Sequence, residues 1–97
     1  DAYLEILSVT DDALVRCALG NVYRDQGKYD LAIQAYQQSM VTDPRLKSPY
    51  INLAGLYRSL GQLVEALAVL EQGAKNVNGA DKETIQSYIQ VLTHTTN

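Results

Sequence analysis

The feature that most constrains the fold of this chain is a sequence repeat with a period of 34 residues. Residues 13–46 and 47–80 align without a gap and share six identities. The identical pairs are Leu19 and Leu53, Tyr23 and Tyr57, Arg24 and Arg58, Gly27 and Gly61, Ala32 and Ala66, and Gln38 and Gln72. A unit of this size cannot bury its apolar face alone, so repeats of this period stack on one another. The repeat therefore predicts a stack of similar units.

Each unit is predicted to be two helices joined by a short turn. In the first unit, Asp12 is expected to cap a helix from about Ala13 to Asp25, because its carboxylate can accept from the free amides of the first turn. Gly27 then supplies the left-handed residue that ends a helix at little cost. A second helix from about Tyr29 to Val41 is expected to end before Pro44, because proline disfavours helical geometry in the preceding residue.

The second unit repeats this plan with different residues. Ser48 is expected to cap its first helix, with Pro49 in the first turn, where the missing amide has no helical partner to lose. Gly61 makes the turn, and a second helix is expected from about Leu63 to Asn76. Gly79 is expected to end that helix in place of the proline of the first unit.

One further helix is predicted on each side of the two units. Asp81 is expected to cap a closing helix from about Lys82 to Thr93. Three apolar residues of that helix recur on one face: Ile85, Ile89 and Leu92. Residues 1–12 are interpreted as part of a helix from a preceding unit plus a linker. The predicted organisation is therefore a partial unit (1–12), two units (13–46 and 47–80), and a closing helix with a tail (81–97).

Small and large residues alternate where paired helices have to meet. Four small residues stand where helix axes must approach to about 8–10 Å: Gly20, Ala32, Ala54 and Ala66. Six larger residues are predicted to fill the space between the hairpins: Leu19, Tyr23, Tyr36, Leu53, Tyr57 and Leu70. The aromatic residues among them are thus interpreted as core rather than as a stacking surface for bases.

These positions follow a known pattern, W-x2-L-G-x2-Y, then A-x3-F, then P, over 34 residues. The first unit supplies Leu19-Gly20, Tyr23, Ala32, Tyr36 and Pro44, and the second supplies Tyr50, Leu53-Ala54, Tyr57, Ala66 and Leu70. The chain therefore resembles the tetratricopeptide-repeat family. That resemblance implies an all-α fold, a right-handed α-solenoid of antiparallel helical hairpins, and a function as a protein-protein interaction module with a scaffold or adaptor role.

Charge and composition exclude several other functions. The net charge of −3 and the pI of about 4.9 argue against a nucleic-acid partner, including the RNA that pentatricopeptide repeats read. No apolar run is long enough to span a bilayer, and no signal peptide is recognisable at the N-terminus. We therefore expect no membrane contact from this segment, and a cytoplasmic location is favoured.

The sequence offers no set of residues for catalysis or metal binding. The serines have no evident histidine partner, since the only histidine, His94, lies in a polar tail. A single cysteine, Cys17, allows no internal disulfide and no zinc site, and we expect it to be a small buried apolar residue. We predict neither enzymatic activity nor a cofactor.

The resemblance also indicates where a ligand would lie, because the first helix of each unit lines the concave groove in this family. Six polar residues on that face are predicted to bind an extended peptide: Asn21, Arg24, Asn52, Arg58, Lys82 and Gln86. An asparagine amide both donates and accepts, as a peptide group does, and the arginines favour a ligand with an acidic group. Asn52 and Arg58 are outside the predicted packing positions, so replacing both is expected to leave the fold intact.

A narrower ligand class is disfavoured by two substitutions. Some members of the family hold acidic C-terminal tails with a two-carboxylate clamp, and Asn21, Asn52 and Lys82 match its positions. Cys17 and Gln86, however, stand where that clamp has a lysine and an arginine. The prediction is therefore a general peptide groove with some cationic character. The alternative is a structural or self-assembling segment of a larger protein, with a second copy of the chain as partner.

Overall fold

The structure is a computed structural model that describes residues 12–95, and these residues form five helices and no strand. The helices are α1 (Ala13–Asp25), α2 (Tyr29–Thr42), α3 (Lys47–Ser59), α4 (Leu63–Asn76) and α5 (Gly79–Thr95). The predicted all-α fold is confirmed. The partial helix predicted at the N-terminus falls outside the described residues.

Three of the predicted helix boundaries are set by the residues expected to set them. The side chain of Asp12 accepts a hydrogen bond from the Leu14 amide at 2.7 Å, which caps α1. Gly27 and Gly61 have φ values of 76° and 78°, so each hairpin turns through a left-handed glycine. Because only short turns join α1 to α2 and α3 to α4, each pair folds back as a hairpin.

The prediction that Ser48 caps α3 is wrong. The helix begins one residue earlier, at Lys47, and its N-cap is Leu46, which makes no side-chain cap bond. The cause is the preceding loop, where the Asp43 carboxylate accepts from the Arg45 amide at 3.1 Å and the Asp43 carbonyl accepts from the Leu46 amide at 3.2 Å. The turn formed by residues 43–46 therefore leads directly into the helix at Lys47, one residue before Ser48.

The prediction that Asp81 caps the closing helix is also wrong. The helix α5 begins at Gly79, so Asp81 lies inside its first turn, where the helix dipole favours negative charge. Its carboxylate lies 3.3 Å from the Lys47 ammonium group at the start of α3. The first turns of α3 and α5 are therefore neighbours, and the two helices run side by side in the same direction.

One continuous core joins both hairpins and the closing helix. It includes the predicted small residues Ala32, Ala54 and Ala66 and the predicted fillers Tyr36, Leu53 and Leu70, all at most 4% exposed. Tyr23 and Tyr57 pack against this core while staying partly exposed. Of the predicted stripe on α5, Ile85 and Leu92 belong to the core and Ile89 packs against it. The closing helix therefore covers the end of the second hairpin.

Two glycines are required by close contacts with tyrosine rings. A β-carbon built on Gly20 would lie 2.6 Å from Cε1 of Tyr36, and one on Gly73 would lie 2.8 Å from Cγ of Tyr50. Both tyrosines are fully buried. The first contact closes the α1/α2 hairpin, and the second fits α4 against α3 and against Ile85 of α5. The requirement at Gly73 was not predicted from the sequence.

Candidate functional site

Two asparagines from neighbouring repeats meet on the face shared by α1 and α3. The Asn52 amide nitrogen donates to Oδ1 of Asn21 at 3.2 Å and contacts Sγ of Cys17 at 3.4 Å. Both asparagines are half-buried. The structure thus brings together two of the predicted site residues. It also shows that Asn52 links the two hairpins, so the expectation that Asn52 takes no part in packing is wrong.

A buried tyrosine on α2 fixes the orientation of this pair. The Tyr36 hydroxyl donates to the same Oδ1 of Asn21, which therefore accepts two hydrogen bonds. Burial raises the pKa of Tyr36 to about 12, against a smaller opposing effect of Arg24, so the hydroxyl stays a donor at neutral pH. The sequence predicted Tyr36 only as a packing residue, because a family packing position says nothing about where its hydroxyl points.

The asparagine pair is left with one donor group and one acceptor group for a ligand. The Asn21 amide nitrogen and the Asn52 side-chain oxygen have no hydrogen-bond partner within residues 12–95. Every buried polar side-chain atom in that range has a partner, so these two atoms must reach solvent. The face therefore presents a donor and an acceptor from adjacent side chains.

The cysteine beside this pair is a packing residue, as predicted. Cys17 is 4% exposed and belongs to the core. Burial raises the pKa of its thiol, and this effect outweighs the opposing hydrogen bond from Asn52. A thiol held in the protonated form is a poor nucleophile. Cys17 therefore packs in the core and contacts the asparagine pair, and its thiol is poorly suited to act as a nucleophile.

The two arginines occupy equivalent positions but differ in their contacts. Arg24 lies in the last turn of α1, where its Nε pairs with Oδ1 of Asp25 at 3.2 Å. Arg58 lies in the last turn of α3, is exposed, and forms no ion pair with any group in residues 12–95. An exposed pair such as that of Arg24 is worth at most about 1 kcal/mol, so both arginines remain available to an anion. Arg58 is the more accessible of the two.

Lys82 and Gln86 lie in the first half of α5, and both are exposed. Within residues 12–95 neither side chain forms a hydrogen bond or an ion pair with the asparagine pair or with Arg58. Gln86 stands one repeat after Asn52, the residue of α3 that contacts α1. The role of Lys82 and Gln86 in ligand binding stays a prediction.

A small apolar depression between α3 and α5 was missed by the sequence analysis. This α3–α5 notch has a volume of about 70 Å³. Its main lining residues are Ile51, Gly55, Arg58, Tyr88, Val91 and Leu92. Tyr88 and Val91 are 47% and 49% exposed, so each has an apolar surface open to solvent beside the recess. The available signal was their position outside the Ile85, Ile89 and Leu92 stripe, where a helix facing only water would carry polar residues.

Other classes of site find no support in the described part of the chain. Within residues 12–95 no group of three or more His, Cys, Asp or Glu side chains is arranged to hold a metal ion. None of the five helices has both the length and the hydrophobicity that a bilayer crossing demands.

Comparison with known proteins gives two matches to repeat families. One family model, described as a tetratricopeptide repeat, matches residues 13–46. A second model of the same description matches residues 50–77. The two matches together span well over half of the sequence. No curated protein matches the chain.

Proposed function

The chain belongs to the tetratricopeptide-repeat family, and from that premise we propose that it binds an extended segment of a partner protein along the face shared by α1 and α3. Repeats of this family generally mediate protein-protein interactions and are typically non-catalytic. The binding face, the extended form of the ligand and a scaffold or adaptor role are our proposal.

The observation that carries this proposal is the asparagine pair. The Asn52 amide nitrogen donates to Asn21 Oδ1 at 3.2 Å, which joins the two side chains. Asn21 then offers its amide nitrogen as a donor, and Asn52 offers its side-chain oxygen as an acceptor. Each peptide group of an extended chain has one donor and one acceptor, so the pair complements a peptide backbone without requiring a particular side chain. Because Tyr36 and Cys17 hold the pair in place, little side-chain entropy remains to be lost on binding.

The arginines favour a ligand with at least one carboxylate. Arg24 and Arg58 lie at the same end of neighbouring parallel helices, so a chain that crosses both helices passes both cations. Exposed charges of this kind are screened by salt, and binding is therefore expected to weaken as ionic strength rises. Lys82 and Gln86 remain proposed contacts only for a ligand long enough to continue around α5.

The test is a selection from a random peptide library followed by binding measurements on variants. The Asn52→Ala/Arg58→Ala variant should lose most of its affinity for the selected peptides. Because Asn52 also links the hairpins, a second variant, Arg24→Gln/Arg58→Gln, removes one half-buried and one exposed charge while changing no residue of the buried core. It should also bind more weakly, and circular dichroism should show unchanged helicity.

The matched control changes polar residues on the outer helices. Gln37→Ala/Glu71→Ala alters two exposed residues of α2 and α4 and should bind as tightly as the parent. The proposal is wrong if this control loses binding while the groove variants keep it. Sedimentation at several concentrations addresses the alternative of self-assembly, which would appear as dimerisation in the absence of peptide.

A further inference from the structure

The α3–α5 notch combines an apolar recess with a positive charge at its rim. Its sides are Ile51 and Gly55 from α3 and Tyr88 and Val91 from α5, and the Arg58 side chain completes the lining. At about 70 Å³ the recess has room for one short aliphatic side chain and not for an aromatic ring. It therefore offers two kinds of contact within the reach of a single short peptide segment.

The charge at the rim is not neutralised by a described neighbour. Arg58 has no ion pair within residues 12–95, and the one ion pair that joins α3 to α5 in that range, Lys47 with Asp81, lies at the opposite end of the helix. A bound carboxylate would thus meet a free guanidinium, and hydrogen bonds between these two groups are among the stronger ones available at a protein surface.

We propose that the notch binds an internal peptide segment in which an aliphatic residue and an Asp or Glu stand two positions apart. The aliphatic side chain fills the recess and the acidic side chain pairs with Arg58. The spacing follows from the extended form of the ligand, because side chains two residues apart point to the same side of an extended chain. This inference rests on the proposed function and gives the ligand of that groove a sequence requirement.

The alternative source of the carboxylate is the C-terminus of a peptide, and the geometry favours a side chain. The notch runs along α3 from Ile51 to Arg58, towards the carbonyl end of the helix, which carries the negative end of the helix dipole. A terminal carboxylate on the residue that fills the recess would be held close to that end. A side-chain carboxylate two residues away can instead meet the exposed guanidinium farther out in solvent.

The route of the ligand connects the notch to the asparagine pair. Asn52 directly follows Ile51, a lining residue of the notch, on the same helix. An extended chain whose aliphatic residue sits in the notch can therefore continue across α3 towards Asn52 and Asn21. The proposed sequence requirement and the proposed backbone contacts belong to one continuous surface.

The experiment measures binding of short end-capped peptides by nuclear magnetic resonance on the isotope-labelled chain. The probes are acetyl-Ser-Val-Ser-Glu-Ser-amide and the same peptide with valine and glutamate exchanged. At least one of these two peptides should shift the amide signals of Gly55, Arg58 and Val91. Replacing glutamate by glutamine, or valine by serine, should weaken binding by roughly tenfold. Placing valine and glutamate next to each other should weaken it as well.

A further probe, acetyl-Ser-Ser-Ser-Val with a free carboxylate, represents the C-terminal source. If it binds more tightly than both spaced peptides, the carboxylate comes from a terminus and the proposal is overturned. The proposal is equally overturned if neither spaced peptide binds at millimolar concentration, or if the glutamine peptide binds as well as the glutamate peptide.

Two variants of the chain test the two halves of the notch separately. Gly55→Leu should fill the recess and abolish binding of the spaced peptide. Its β-carbon meets no atom within 4 Å, and circular dichroism should show unchanged helicity. Arg58→Gln should reduce binding to the level of the glutamine peptide. Lys75→Gln, which removes one exposed charge from α4, is the matched control and should bind like the parent.

The outcome also separates this inference from the proposed function. If library-selected peptides depend on Asn52 but bind Gly55→Leu unchanged, the notch inference fails and the groove proposal stands. If the selected peptides bind through α2 and α4 instead, the notch inference and the groove proposal both fail.

Discussion

A matched pair of glycine substitutions provides a sharp test of the packing described above. Gly20→Ala places a methyl group 2.6 and 2.7 Å from two ring carbons of Tyr36, a fully buried side chain. Overpacking of this kind costs about 1–3 kcal/mol, and the helix propensity of alanine offsets about 1 kcal/mol of that cost. Two ring contacts well below 3.0 Å place the cost in the upper part of that range, so the net loss should be about 1–2 kcal/mol. Gly55→Ala meets no atom within 4 Å and should instead gain about 0.5–1 kcal/mol.

The assay is thermal unfolding followed by circular dichroism. For a domain of this size each kcal/mol shifts Tm by about 4–8 °C, so the two variants should melt on opposite sides of the parent. Removing the aromatic ring with Tyr36→Leu should reduce the effect of Gly20→Ala, because the ring carbons that clash with the new methyl group are then absent. The reasoning is refuted if Gly20→Ala melts at or above the parent, or if its effect is the same with and without the Tyr36 ring.

Three other predictions concern the groove and the closing helix. Asn52→Ala should lower the free energy of unfolding by about 1 kcal/mol in chemical denaturation, because it removes hydrogen bonds between the hairpins, and an unchanged midpoint would contradict this. Raising the pH from about 10 to about 12 should destabilise the chain. The Tyr36 hydroxyl ionises at lower pH in the unfolded chain than in the folded chain, where its pKa is raised to about 12. The denaturation midpoint of Tyr36→Phe should fall less over that range. Deleting residues 81–97 should lower Tm by more than about 4 °C, because it uncovers the core where Ile85 packs, and an unchanged Tm and monomer state would refute it.

The fold was largely predictable because the same residue pattern occurs in both repeats. Small residues, turn glycines and apolar fillers recur at a fixed spacing, and each has a local reason to occur there. The two wrong caps, Ser48 and Asp81, show what such reasoning omits. Both are good capping residues by type, but a turn at Asp43 starts α3 before Ser48, and α5 already begins at Gly79, two residues before Asp81.

The candidate site was predictable only in part, because its geometry depends on contacts between elements. The period of the repeat was enough to place Asn21 and Asn52 on neighbouring helices. It gave no information about the Tyr36 hydroxyl, which comes from a different helix and orients Asn21. Nor did it reveal the notch, because Tyr88 and Val91 line it only through the way α5 packs beside α3.

The most direct test of the peptide groove is to map a library-selected peptide on the isotope-labelled chain by nuclear magnetic resonance. The side-chain amide signals of Asn21 and Asn52 report on the two atoms left open to a ligand. The account predicts that both shift on binding, together with the backbone signal of Arg58, and that the shifts weaken at high salt. Shifts confined to the outer helices, around Gln34, Gln37 and Glu71, with the asparagine signals unchanged, would contradict it.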